Sequence, residues 1–77
     1  MPRITPVSWQ TLECIFIKAG FSFTRQKGDH RTYTKKDVLR PVIIPTYKEI
    51  QLDIIQSNMR TAGMNRKNYF QFLAECK

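Results

Sequence analysis

The chain has 77 residues, 42% of them hydrophobic and 12% aromatic, and a formal net charge of +7. This much apolar content excludes a disordered tail, and the length predicts one domain, residues 1–77, with any active site on its surface rather than in a cleft between domains. The excess of Lys and Arg points to a polyanionic partner, nucleic acid or an acidic protein, whereas no segment is long and apolar enough to span a bilayer or long and basic enough to lie on one.

The elements follow in chain order. Thr5, Pro6 and Ser8 are helix-start residues, and Trp9, Leu12, Ile15, Phe16 and Ala19 then recur at helical spacing up to Gly20, predicting a helix near residues 6–19. Phe21 and Phe23 alternate with Ser22 and Thr24, predicting a strand over 21–27. Gly28-Asp29 is a hairpin-turn signal. Residues 30–36 alternate again and end in a polar Lys36-Asp37 turn, and Val42-Ile43-Ile44 between two prolines marks a third strand at about 39–45. From Lys48 the period changes: Ile50, Ile54, Ile55, Met59 and Ala62 fall on one helical face that Gly63 ends. Asn65 is placed to cap a third helix, whose apolar side is Tyr69, Phe70, Leu73 and Cys76. The expected fold is α+β, in the order α-β-β-β-α-α: a three-stranded antiparallel sheet with helices on one face. Trp9, Leu12, Phe16, Phe21, Phe23, Ile54 and Met59 are the expected core.

Imidazole is the side chain that moves protons near neutral pH without help, and the one histidine, His30, stands among basic residues just after the turn. Side chains alternate along a strand, so His30, Thr32 and Thr34 share one face, and Arg31, Tyr33 and Lys35 the other. Tyr33 is the apolar member, which turns its face to the helices and leaves His30 on the open side. RNA carries its own nucleophile, the 2′-hydroxyl, so one positioned base can start strand scission without metal or cofactor. Arg25, Lys27 and Arg31 are candidates to hold phosphate, and Lys35, Lys36 and Arg40 extend the basic region. Gly28 and Asp29 shape the turn that carries His30, and the Asp29 charge also opposes phosphate. Tyr47 either stacks on a base or anchors its loop. Cys14 and Cys76 match no metal-ligand spacing and no disulfide framework, and are expected as reduced thiols in a cytoplasmic protein. The first residues hold no apolar run of signal-peptide length.

Four segments carry a resemblance: Ala19-Gly20-Phe21, Arg25-Gln26-Lys27-Gly28-Asp29-His30, Val42-Ile43-Ile44-Pro45, and Met59-Arg60-Thr61-Ala62-Gly63-Met64. In that order and spacing, over about Val7 to Leu73, the chain resembles the HicA (YcfA-like) toxins, small basic mRNA interferases of bacterial toxin–antitoxin pairs. The resemblance implies a fold like the double-stranded RNA-binding domain, His30 as the catalytic residue, and an acidic HicB-type antitoxin that covers the active surface. The chain departs from the family at Asp29, where serine or lysine is common. It departs also at Tyr47, where a histidine often follows the third-strand proline, and at Asn58, where the residue is usually apolar. The leading expectation is a metal-independent endoribonuclease acting on mRNA. The alternatives are a non-catalytic RNA-binding module on the same fold, or a degenerate toxin that only binds an antitoxin-like protein. Residues 48–53, Lys-Glu-Ile-Gln-Leu-Asp, are mixed in sign, which counts against an ordinary duplex binder.

Overall fold

Helix α1 (Trp9–Lys18) begins where a cap is made rather than at the first capable residue. In this computed structural model, which describes residues 3–76, the Ser8 hydroxyl accepts a hydrogen bond from the Thr11 N–H at 3.3 Å. Thr5 and Pro6 therefore stay outside the helix. At the other end Gly20 takes φ +104°, a conformation costly for other residues, and the Phe21 N–H reaches back to the Phe16 carbonyl at 3.0 Å.

The strands are β1 (Ser22–Lys27), β2 (His30–Thr34) and β3 (Val42–Pro45), antiparallel and in the order β1-β2-β3. Helices α2 (Leu52–Ala62) and α3 (Arg66–Glu75) follow. The architecture is α+β in the expected order, consistent with a double-stranded RNA-binding-domain-like fold. Helices α1 and α2 pack on β3, and α3 packs on α1. Between them lie the fully buried Leu12, Ile15, Phe16, Tyr33, Val42, Ile44, Ile50, Ile55 and Tyr69. The segment before α1 joins the same layer: Ile4 is buried, and the Ile50 N–H donates to the Val7 carbonyl at 2.7 Å.

Three expected core residues sit further out. Trp9 and Ile54 are only partly buried, and Phe23 is 45% exposed. β1 is an edge strand and the helices lie toward β3, so all six β1 residues are exposed, Phe23 among them. Its ring meets Tyr33 edge-on, centroids 5.9 Å apart. Asn58, on the inner side of α2, is not a weak point in the helix. Its amide donates to the Ile43 carbonyl at 2.9 Å and so ties α2 to the strand it covers.

The cysteines, expected as free thiols, are joined. Although 62 residues apart, Cys14 and Cys76 form a disulfide with Cα atoms 6.0 Å apart. The cause is the return of α3 along α1, which also brings Lys18 within 3.7 Å of Glu75. Neither partner's local sequence carries that information. A bond closing a loop of this size is worth about 4 kcal/mol by the chain-entropy argument. A Cys14→Ser/Cys76→Ser chain should lose roughly that much in denaturant unfolding, and reduced wild type should unfold at the same midpoint as the variant. Equal stability of oxidised and reduced protein would mean that helix packing alone holds α3 in place.

Candidate nucleic-acid interface

The site begins at the tip of the β1–β2 hairpin. Gly28 takes φ +58° at the first central position of the two-residue turn, where only glycine is free of strain, and an added Cβ would find no atom within 4 Å. The Gln26 side chain donates to the Gly28 carbonyl at 3.0 Å, and the Thr46 N–H donates to the Asp29 carbonyl at 2.7 Å. The turn is thus fixed from β1 and from the loop after β3. His30, the first residue of β2, is exposed, with Lys27 opposite it on β1 and Pro45 opposite it on β3.

Which side chains share the His30 face is set by register. Directly opposed residues of antiparallel strands point the same way. Phe23 opposes the buried Tyr33, and Gln26 opposes Arg31, all on the helix side. Lys27 opposes His30 and Arg25 opposes Thr32, on the open side. Phe23 and Gln26 are three residues apart, yet they share a face, because the pairing shifts between Phe23 and Arg25. This β-bulge changes the parity of the strand. Without it Arg25 and Lys27 would follow Phe23 toward the helices. With it both cations stand on the side of His30, above a surface carrying the Thr24 and Thr34 hydroxyls, which bond to each other at 2.9 Å.

The other cations do not gather there. Arg31 points to the helix side, where it is fully engaged. Its guanidinium donates to Glu13 at 3.0 and 3.2 Å, to the Tyr33 hydroxyl at 2.9 Å and to Gln26 at 2.7 Å. The same group lies 4.1 Å from the Phe23 ring centroid and 5.1 Å from that of Trp9. Tyr33 in turn donates to Glu13. Lys35 donates to the Ala19 carbonyl at 2.8 Å, neutralising the negative end of α1, and rests over Phe21. Lys36 and Arg40 are exposed in the β2–β3 loop, at the opposite end of the strand from His30, about 20 Å away along an extended chain. Tyr47 lies at the His30 end, 46% exposed, and its carbonyl accepts the Trp9 N–H at 3.1 Å. Among the described residues no three His, Cys, Asp or Glu side chains come together.

The family profile of the HicA toxin of bacterial toxin–antitoxin systems matches residues 9–64, from the start of α1 to just past α2. The chain belongs to the HicA toxin family. Membership implies an antitoxin as partner. A comparison with curated proteins finds no match. In this HicA toxin the match covers the whole sheet and hairpin, whereas α3, with the disulfide that fastens it, lies beyond it.

The cluster of Glu13, Gln26, Arg31 and Tyr33 was not visible as a unit in the sequence. Its one signal is parity, since Arg31 and Tyr33 share a face and a half-buried guanidinium needs an acid, which α1 supplies at Glu13. Burial and the hydrogen bond to Glu13 push the Tyr33 phenol up to about 12. The folded state therefore holds this proton more tightly than the unfolded chain, whose phenol titrates near 10. The stabilisation is whole below pH ~10 and is lost as pH rises through about 12. Two pH units correspond to at most about 2.7 kcal/mol. Tyr69, also raised by burial, adds to the same alkaline loss. Tyr33→Phe should flatten the fall in stability over that range in alkaline unfolding titrations. An unchanged slope would contradict the cluster as described.

The two adjacent arginine and lysine sites should also separate cleanly. Arg31→Ala breaks a half-buried ion pair and leaves Glu13 without its cation, so about 1–3 kcal/mol of stability should be lost. Lys27→Ala changes an exposed side chain and should stay within about 0.5 kcal/mol of wild type. Chemical denaturation of both variants checks this. Equal effects would place Arg31 on the open face after all.

Proposed function

We propose that this HicA toxin is an mRNA interferase, an endoribonuclease that needs no metal and uses His30 as its general base. One observation supports this most: an exposed imidazole directly across the strand pair from Lys27, with Arg25 brought to the same face by the bulge. His30 takes the proton of a 2′-hydroxyl. The freed 2′-oxygen attacks the adjacent phosphorus, the bond to the 5′-oxygen breaks, and a 2′,3′-cyclic phosphate and a 5′-hydroxyl result. The leaving oxygen receives its proton from water or from the imidazolium just formed. Lys27 and Arg25 hold the phosphate and offset the charge that builds on it. Arg31 acts from behind, keeping β2 in register, and does not contact RNA.

Residues 1–77 act as one toxin domain in the cytoplasm, held silent by an acidic HicB-type antitoxin that covers His30 and the open face. Opposite fields would speed that encounter. In a reducing cytoplasm the Cys14–Cys76 bond, and the stability it confers, would be conditional. Asp29 favours a second reading, in which the protein binds RNA without cutting it, because its carboxylate sits in the turn beside His30.

His30→Ala should lower cleavage of a transcript by about 10²–10⁴-fold while the protein stays folded and still binds its antitoxin. Chelators should leave wild-type activity intact, and a single 2′-deoxy substitution at the cut site should abolish scission there. A folded His30→Ala protein that cuts undiminished would overturn the assignment, and a wild-type protein that binds RNA uncut would favour the second reading.

A further inference from the structure

We propose that Tyr47 is the base-stacking platform of the site, holding the nucleobase next to the phosphate that faces His30. Resting on the RNA-directed reading above, this names how the strand is held rather than how it is cut.

The placement follows from the backbone. Pro45 is the cross-strand partner of His30, and Tyr47 follows two residues later. Two residues span at most about 7 Å, and a cross-strand step adds about 5 Å. The Tyr47 Cα therefore lies within roughly 12 Å of the His30 Cα, close enough for both side chains to meet one RNA strand. The segment is held on both sides of Tyr47. The Thr46 N–H bonds the Asp29 carbonyl at 2.7 Å, and the Tyr47 carbonyl accepts the Trp9 N–H at 3.1 Å. Hairpin tip, loop and the start of α1 are thereby joined through main-chain atoms.

The side chain itself does none of this anchoring. Pro45 is buried and Thr46 half-buried, yet Tyr47 is 46% exposed, and no hydrogen bond or ring contact engages its side chain. A tyrosine whose task was to pin the loop would bury its ring, as Tyr33 and Tyr69 do. A rigid backbone presenting a free aromatic face is the arrangement that stacks a base at little entropic cost. Lys48, exposed beside it, supplies charge for the adjoining phosphate. Of the exposed aromatic residues, Phe23 and Tyr47, the first points to the helix side with Tyr33. Stacking at this site therefore falls to Tyr47 alone among the described residues.

The probe is a single-stranded oligoribonucleotide spanning one cleavage site mapped with wild-type protein, or a random-sequence oligoribonucleotide if none is cut. Its affinity is measured on the His30→Ala background. Adding Tyr47→Ala should weaken binding by about 5- to 150-fold, and Tyr47→Phe or Tyr47→Trp should restore it. Removing the base beside the scissile phosphate should cost the Tyr47 protein a similar factor and the Tyr47→Ala protein almost nothing, a coupling that a loop anchor would not produce. If abasic and intact oligonucleotides lose equally in both proteins, or if Tyr47→Ala binds as tightly as its parent, the platform is refuted. Uncut RNA with the coupling present would remove the ribonuclease reading and leave the platform standing. No RNA binding at all would remove both.

Discussion

Strand β2 keeps His30 outside because Tyr33 and Arg31 are held inside. Side chains alternate with a period of two, so a slip of one residue would send the imidazole into the helices and the phenol into solvent. The Glu13 carboxylate prevents that slip. It accepts from both Tyr33 and Arg31, and it sits on α1, a separate element that Ser8 caps and Gly20 ends. The register of the hairpin is thus locked from outside the hairpin. Burial of Tyr33 between sheet and helix makes the lock costly to break, and Gln26 extends it to β1.

The bulge in β1 completes the division. On an unbroken strand the cations Arg25 and Lys27 would have joined Phe23 on the helix side, beside the Arg31 guanidinium and away from His30. The parity change places them over the open face, where they meet His30 and where solvent or phosphate can reach them. One face of the sheet is therefore built for stability and uses its arginine structurally, and the other is left polar, basic and hydroxyl-lined. The exposure of Phe23 has a related cause, because the helices cover the β3 side and leave the edge strand β1 open.

Much of this is legible in the residues. The periods of 3.6 and 2 give all six elements in order, with ends off by a few residues where a cap or turn decides, as at Ser8 and Thr34. The alternation of β2 gives the outward His30 and inward Tyr33. It also places Arg31 and Lys35 inward, so their expected place in a phosphate-binding group conflicts with parity, and the structure engages both with α1. The bulge left a fainter trace: charges at 25 and 27, on positions where the alternation set by Phe21 and Phe23 demands apolar groups. The Cys14–Cys76 pair left none, because its closeness depends on how α3 returns along α1, a matter of tertiary packing across 62 residues. Asn58 likewise reads as a flaw in an apolar face until the β3 carbonyl it serves is in view.

The proposed function gives the two faces of this sheet separate roles, one toward RNA and one toward stability. Amide and side-chain NMR during titration with a single-stranded oligodeoxyribonucleotide, which lacks the nucleophile and cannot be cut, tests it most directly. Shifts should gather at Arg25, Lys27, His30, Thr32 and Tyr47, while the guanidinium of Arg31 and the Glu13 carboxylate stay as they are in the free protein. Shifts centred on Arg31, Glu13 and Trp9, with His30 unmoved, would contradict it.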